Sequence, residues 1–230
     1  MKFSMSGKIA VFFTRIADMA ILSLLWIVMC IPVLTVIPSS IALYYTAAKV
    51  LKRDCGNVFP EFFRSFRENL RQGCALDVIY LALGAVLIGI HAFSKGLGLG
   101  TEWGNAYYIF YLMCIVLLAA VSFYLLPVLS RFQVSLFGGF RLAVYFAFRN
   151  LGTLIPMLIT LAGACAIIYI FPIAALVLPG FYAYLMTNSV EPALRNYIIR
   201  ELDPEEHAHM WYMDGWEAPQ EKQSGRFSQK

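Results

Sequence analysis

His207 and His209 stand two residues apart in the stretch "ELDPEEHAHM", just after Glu205 and Glu206. These are metal-ligand types, but a structural zinc site closes with four ligands, and no fourfold set can be assembled here. The five cysteines, Cys30, Cys55, Cys74, Cys114 and Cys165, contain no C-x-x-C pair. Three of them lie in apolar tracts, where a free thiol serves as a small apolar group. "GLGLG" at Gly96–Gly100 lacks the preceding strand and the following Lys-Ser of a phosphate loop and reads as a tight turn. Neither G-x-S-x-G nor H-E-x-x-H occurs. No catalytic set, cofactor or metal is therefore expected. The remaining polar candidates border apolar tracts: Arg64, Arg67, Asn69, Arg71, Asp77, Arg149 and Asn150. An ionisable group inside a membrane helix is a functional candidate by default. Asp77 has a structural alternative as well, at the positive end of a helix dipole with Arg149 as a possible partner. Asn69 and Asn150 read as helix caps. His91 reads as a packing residue, and Asp18 as opening its helix in the way Asp77 does. Glu191 reads as a helix end, with Pro192 following and Arg195 in pairing distance along the chain.

These residues are spaced by long uncharged tracts. The chain has 230 residues, 60% hydrophobic and only 14% charged, against about 25% charged in soluble domains. Asp, Glu, Lys and Arg are missing from 19–48, 78–94, 103–130 and 150–190, runs of 30, 17, 28 and 41 residues. A hydrocarbon core about 30 Å thick takes roughly 20 residues of helix. The first and last runs are too long for one crossing and carry the breaks Pro32 with Pro38, and Pro172 with Pro179–Gly180. The fold expected is an all-α polytopic membrane bundle of five to six segments: about 18–31, 39–52, 75–94, 106–130, 153–171 and 180–194. Four are firm and two are short and proline-started. Residues 201–230 are expected to form a polar, partly disordered cytoplasmic tail.

Lys and Arg gather on the cytoplasmic side of membrane proteins. The eighteen here fall into groups of three, six, one, three and five along the chain. With six passes, the poor group (Lys95) lies outside and every rich group inside, with both termini cytoplasmic. With five passes, the first group is stranded outside. Among the rich groups, "FPEFFRSFRENLRQG" sets Phe59, Phe62, Phe63, Phe66 and Leu70 on one helical face. Arg64, Arg67 and Arg71 lie on another. This is the pattern of a basic amphipathic interfacial helix, with its rings in the lipid boundary and its arginines toward anionic headgroups; a docking surface for a partner is the alternative. There is also an internal echo: "IPVLT" at 31–35 returns as "LPVLS" at 126–130, and "FRENL" at 66–70 as "FRNL" at 148–151. It would fit a parallel repeat.

The N-terminal half resembles the YesL-like family, small bacterial membrane proteins of unknown function. The likeness rests on Leu25–Trp26, Pro32 with Thr35, Pro38 before Ala42–Tyr45, and the aromatic-Asn pattern of Phe62–Asn69. Leu126–Gly152 and Pro179–Phe181 also fit, so the resemblance covers roughly residues 5–200. It implies a multi-pass protein of the cell membrane and supplies no catalytic residues. By association with carbohydrate-uptake genes it implies a non-enzymatic accessory or regulatory role beside the membrane subunits of a sugar ABC transporter. A small transporter or channel for a small solute is the other reading. No nucleic-acid partner is expected, since the net charge of +4 marks threading and no motif that reads RNA or DNA is present.

Overall fold

The structure is a computed structural model that describes residues 5–96, 104–132 and 134–201. Seven α-helices follow one another: α1 (Met5–Met29), α2 (Val36–Thr46), α3 (Val58–Gly96), α4 (Gly104–Arg131), α5 (Leu136–Arg149), α6 (Leu151–Ile170) and α7 (Leu178–Glu201). The described residues contain no strand. Five stretches are long and apolar enough to cross a membrane: Phe12–Met29, Val33–Leu51, Val58–Phe93, Ile109–Arg131 and Gly152–Ile170. The expected sixth segment, 180–194, is the first part of α7, which does not meet that apolarity and runs on to Glu201. The tail, including His207 and His209, and most of the "GLGLG" turn lie outside the described residues.

The proline-started arm forms the centre of the fold. Pro32 ends the α1 path, and a 3-10 turn at Val33–Thr35 reverses the chain. Thr35 Oγ1 donates to Met29 O (2.6 Å) and Pro32 O (2.7 Å), closing that turn. Pro38 falls in the first turn of α2, where its missing N–H removes no intrahelical bond. From Ile41 to Ala48 every residue of this arm is buried. One face, with Ile41, Tyr44 and Ala48, joins a core built with α4, α5, α6 and α7. Another, with Ala42, Leu43, Ala47, Val50 and Leu51, joins Leu22, Leu25, Val58, Phe62 and Ala183. This span has the lowest mean hydropathy of the five, 1.3 against 1.8–2.6, and is the most buried. Polar side chains such as Ser39, Thr46, Tyr44 and Tyr45 suit α2 because it is solvated by protein. The helices around it carry the lipid-facing side chains: Val86, Ile88 and Phe93 on α3, Ile109 and Phe110 on α4, and Ile155 and Ile159 on α6 are all exposed.

Two glycines set the closest approaches. A Cβ on Gly73 would fall 2.6–2.8 Å from the Pro38 ring and backbone, so α3 can lie against the start of α2 only without one. A Cβ on Gly180 would lie 2.6 Å from Met19 O, and Gly180 N–H donates to Ser23 Oγ (2.8 Å), which joins α7 to α1. This is the small-residue contact by which membrane helices approach one another.

The amphipathic stretch 59–73 is not a separate interfacial helix. It forms the opening turns of α3, a continuous 39-residue helix about 58 Å long. Pro60 sits in its first turn, and Gly73 does not break it. Its rings turn inward: Phe62 is fully buried, and Phe63 and Phe66 pack beside it. Only Phe59 and Leu70 of the five apolar positions are exposed. α5 has the interfacial character instead. Phe137, Phe140 and Phe148 are exposed on it, while Gly139, Ala143, Phe146 and Ala147 face the core.

The internal echo is local. "PVLT" makes a 3-10 turn, whereas "PVLS" continues inside α4 around Pro127. The hydroxyls nonetheless do the same thing, Thr35 bonding Pro32 O and Ser130 bonding Pro127 O, each at 2.7 Å. The second motifs diverge as well: Phe66–Leu70 lies inside α3, whereas Phe148–Leu151 spans the α5–α6 junction.

Candidate functional site

Tyr44 and Tyr45 are neighbours on α2, about 100° apart around the helix, and each hydroxyl reaches a carboxylate. Tyr44 donates to Glu191 Oε1 on α7 at 2.8 Å. The same oxygen takes a charged hydrogen bond from Arg131 at the end of α4, and Arg53 Nη2 stands 3.9 Å from Glu191 Oε2. Lys52 Nζ donates to Thr187 O one turn earlier on α7 (3.2 Å). The Arg131 side chain is only 2% exposed, so this is an ion pair taken out of solvent.

The second cluster is built on Tyr45. Its hydroxyl donates to Glu61 Oε2 (3.3 Å) and accepts from Lys49 Nζ (3.4 Å) and from Arg64. Glu61 also pairs with Lys49 at 2.8 Å and with Arg64 at 2.6 Å. Both cations lie over the Tyr45 ring, 5.6 and 5.7 Å from its centroid, an arrangement that adds cation–π attraction. Between the two clusters, Ala47–Leu51 widens into a π turn. Lys49 within it meets α3, while Lys52 and Arg53 just beyond it meet α7. π turns recur at functional positions.

A third pair, Arg15 with Asp54, ties α1 to the α2–α3 connection. Asp54 and Gly56 both take positive φ there, 54° and 93°, and Asp is among the few non-glycine residues that tolerate this region. Together with Gln72 Nε2 to Val134 O (3.2 Å), these links tie α1 and the middle of α7 to the end of α2, the opening turns of α3 and the end of α4 at a single basic end of the molecule.

The polar residues singled out in the sequence separate into different places. Asp77 caps a helix other than its own: both its oxygens accept from Ile37 N–H at the start of α2, at 3.2 and 3.1 Å. It meets the unsatisfied donors of that helix end and does not bond Arg149. Arg149 bonds and overlies Tyr145. Asn69 Nδ2 donates to Ser65 O (2.9 Å) within α3. Asn150 is the junction residue of α5 and α6, its Nδ2 donating to Phe146 O (3.3 Å) and its carbonyl accepting from Tyr124 (3.0 Å). His91 stacks on Tyr111 with centroids 5.3 Å apart. Asp77, His91 and Asn150 thus have separate roles and no common surround. Glu191 is not a helix end: Pro192 lies inside α7, and the carboxylate pairs across the bundle and not with Arg195. Among the described residues, no group of three or more His, Cys, Asp or Glu could hold a metal.

Two cavities lie near these residues. One, of about 220 Å³ and almost wholly apolar, is lined by Trp26, Leu43, Leu126, Leu161, Pro179 and Tyr182 among others. The second is a cleft of about 130 Å³ between α5 and α7 with a mixed polar and apolar lining, which includes Phe146, Arg149, Asn150, Asn196, Arg200 and Glu201. The sequence reading missed Glu191 as a hub because its strongest partners lie 60 and 147 positions away. One signal was available: Arg131 closes a 28-residue uncharged run and Glu191 ends a 41-residue one, and each needs a counter-charge if it stays near the core.

The chain was compared with known proteins. Residues 19–89 match the family described as a protein of unknown function, DUF624, the designation under which the YesL-like family is known. The match is narrower than the span of roughly 5–200 expected from the resemblance. It covers the last part of α1, from Met19 on, all of α2 and most of α3, hence the Tyr45–Glu61 cluster and Asp77. No curated protein and no solved structure matches the chain.

Proposed function

We propose that this chain is a non-enzymatic accessory or regulatory protein of the cell membrane. Its basic end faces the cytoplasm and docks on the membrane subunits of a carbohydrate-uptake system of the ABC type. The observation that carries the reading is electrostatic. At that end Glu61, Glu191 and Asp54 are already engaged by Lys49, Arg64, Arg131, Arg53 and Arg15. Arg67 and Arg71, one turn apart on α3, remain exposed, and among the described residues neither makes an ion pair. Outward cationic charge on a rigid support whose buried carboxylates are already engaged favours encounter with an acidic partner surface. The carbohydrate association comes from the family resemblance, and the orientation from the grouping of Lys and Arg along the chain.

The test is co-purification from native membranes in mild detergent. Wild type is expected to bring down transporter subunits near stoichiometry, and Arg67→Glu with Arg71→Glu to lose them without change in thermal stability. Recovery of no transporter subunit by the wild-type chain refutes the reading. Orientation has its own assay: reporters placed after Asn57, in the α2–α3 connection, and after Lys95 must report opposite sides.

A further inference from the structure

We propose that the cleft between α5 and α7 binds the phosphate of an anionic membrane lipid. The inner cleft, about 130 Å³, is large enough for several water-sized groups and so for a tetrahedral anion of the size of phosphate. Arg149 and Asn150 line it from the end of α5, and Asn196 and Arg200 from α7. It adjoins an open mouth of about 410 Å³ bordered by Arg141, and Tyr145, Tyr197 and Glu201 are common to both. Two guanidinium groups in the cleft and a third at its mouth stand against one carboxylate, a local charge of +2 that calls for an anion. Guanidinium donors match phosphate oxygens in pairs, and the two asparagine amides add neutral donors.

The surroundings indicate a lipid as the source. Phe137, Phe140, Val144 and Phe148 recur at i, i+3, i+7 and i+11 on α5, one helical face. The three rings are exposed at 80%, 45% and 62%. Arg141 and Arg149 lie on the adjoining sector of the same helix. A helix with exposed rings beside arginines lies at the boundary of hydrocarbon and headgroups, which brings the cleft to the depth of the lipid phosphates. The rings flank the acyl chains and the arginines hold the headgroup. Arg149 is held toward this side by its contact with Tyr145, its guanidinium carbon lying 5.4 Å from the ring centroid. Tyr197 is fixed in turn against Phe146 and Tyr145, at 5.2 and 5.8 Å between centroids.

The test uses the full chain purified in a neutral detergent and titrated with phosphatidylglycerol, phosphatidylcholine, glycerol phosphate or inorganic phosphate, with thermal unfolding and native mass spectrometry as readouts. Phosphatidylglycerol is expected to raise the unfolding midpoint by several degrees and to stay bound in the gas phase, and phosphatidylcholine to do neither. Arg149→Gln with Arg200→Gln is expected to weaken phosphatidylglycerol binding at least tenfold, whereas Arg195→Gln, outside the cleft, leaves it unchanged. Because Arg149 and Arg200 are exposed, these variants should fold; Asn196→Ala supplies an independent weakening at an uncharged position. Equal binding of the two lipids, or undiminished binding by the double variant, overturns the proposal. So does glycerol phosphate or inorganic phosphate binding as tightly as the lipid, which would make the site one for a soluble anion. Each of these outcomes is independent of whether a transporter subunit co-purifies.

Discussion

Removing the carboxylate of Glu191 tests the central packing argument most directly. Arg131 is 2% exposed at its side chain and shares Glu191 Oε1 with the Tyr44 hydroxyl. Glu191→Ala leaves that guanidinium buried without its carboxylate, and breaking a buried pair from one side costs about 3–5 kcal/mol. For a chain of this size 1 kcal/mol corresponds to roughly 2–4 °C in Tm, so the midpoint should fall by roughly 6–20 °C. Glu191→Gln keeps an acceptor for Tyr44 and loses only the charge, so it should fall between the two. The paired replacement Glu191→Leu with Arg131→Met removes both ions together. Exchanging a buried pair for apolar groups is often neutral, so the double variant should return to within about 2 kcal/mol of wild type. The assay is thermal unfolding in detergent followed by tryptophan emission, applied to each of these variants, with wild type, Glu191→Leu, Arg131→Met and the paired replacement compared as a cycle. A Glu191→Ala shift under about 2 °C would show that the pair is not desolvated as described. A double variant as unstable as the sum of the two single variants would show that the two ions do not act as a pair.

The remaining predictions concern the helix contacts. Gly180→Ala places a methyl 2.6 Å from Met19 O and should cost about 1–3 kcal/mol, read as a lower Tm. Gly163→Ala meets nothing within 4 Å and should be neutral, or stabilising by up to about 1 kcal/mol through helix propensity; equal losses at both glycines would contradict the α1–α7 contact. Asp77→Ala uncaps the start of α2 and should cost about 0.5–2 kcal/mol, with Asp77→Asn losing less because an acceptor remains; hydrogen exchange at Ile37 should rise in the alanine variant. Tyr45→Phe removes the hydroxyl between Lys49, Arg64 and Glu61 while leaving the ring beneath both cations, so its Tm loss should be smaller than that of Glu61→Ala, which takes the carboxylate from Lys49 and leaves Arg64 only Glu68, 4.0 Å away.

The sequence by itself determined the solvent and the coarse build of this protein. Uncharged runs of 17–41 residues have to become helix, since in hydrocarbon the backbone has to satisfy its own hydrogen bonds. The break near Pro32 was legible because proline cannot continue the ladder there. Where proline failed as a guide, at Pro127 and Pro192, the helix absorbed a single lost hydrogen bond and continued. Hydrophobic spacing showed that 59–73 has an apolar face, but an apolar face fits lipid and protein equally well. Only the packing of α3 on α2 turned Phe62 inward and left α5 as the helix with exposed rings. The candidate site divided in the same way. Arg149 and Asn150 were visible as polar residues at the edge of an apolar tract, but Asn196 and Arg200 join them only because α7 runs beside α5. Glu191 looked like the end of a helix until the bundle brought Tyr44 and Arg131 to it. Local chemistry is written in neighbouring residues, whereas a buried charge is stabilised by partners that the chain reaches only after folding.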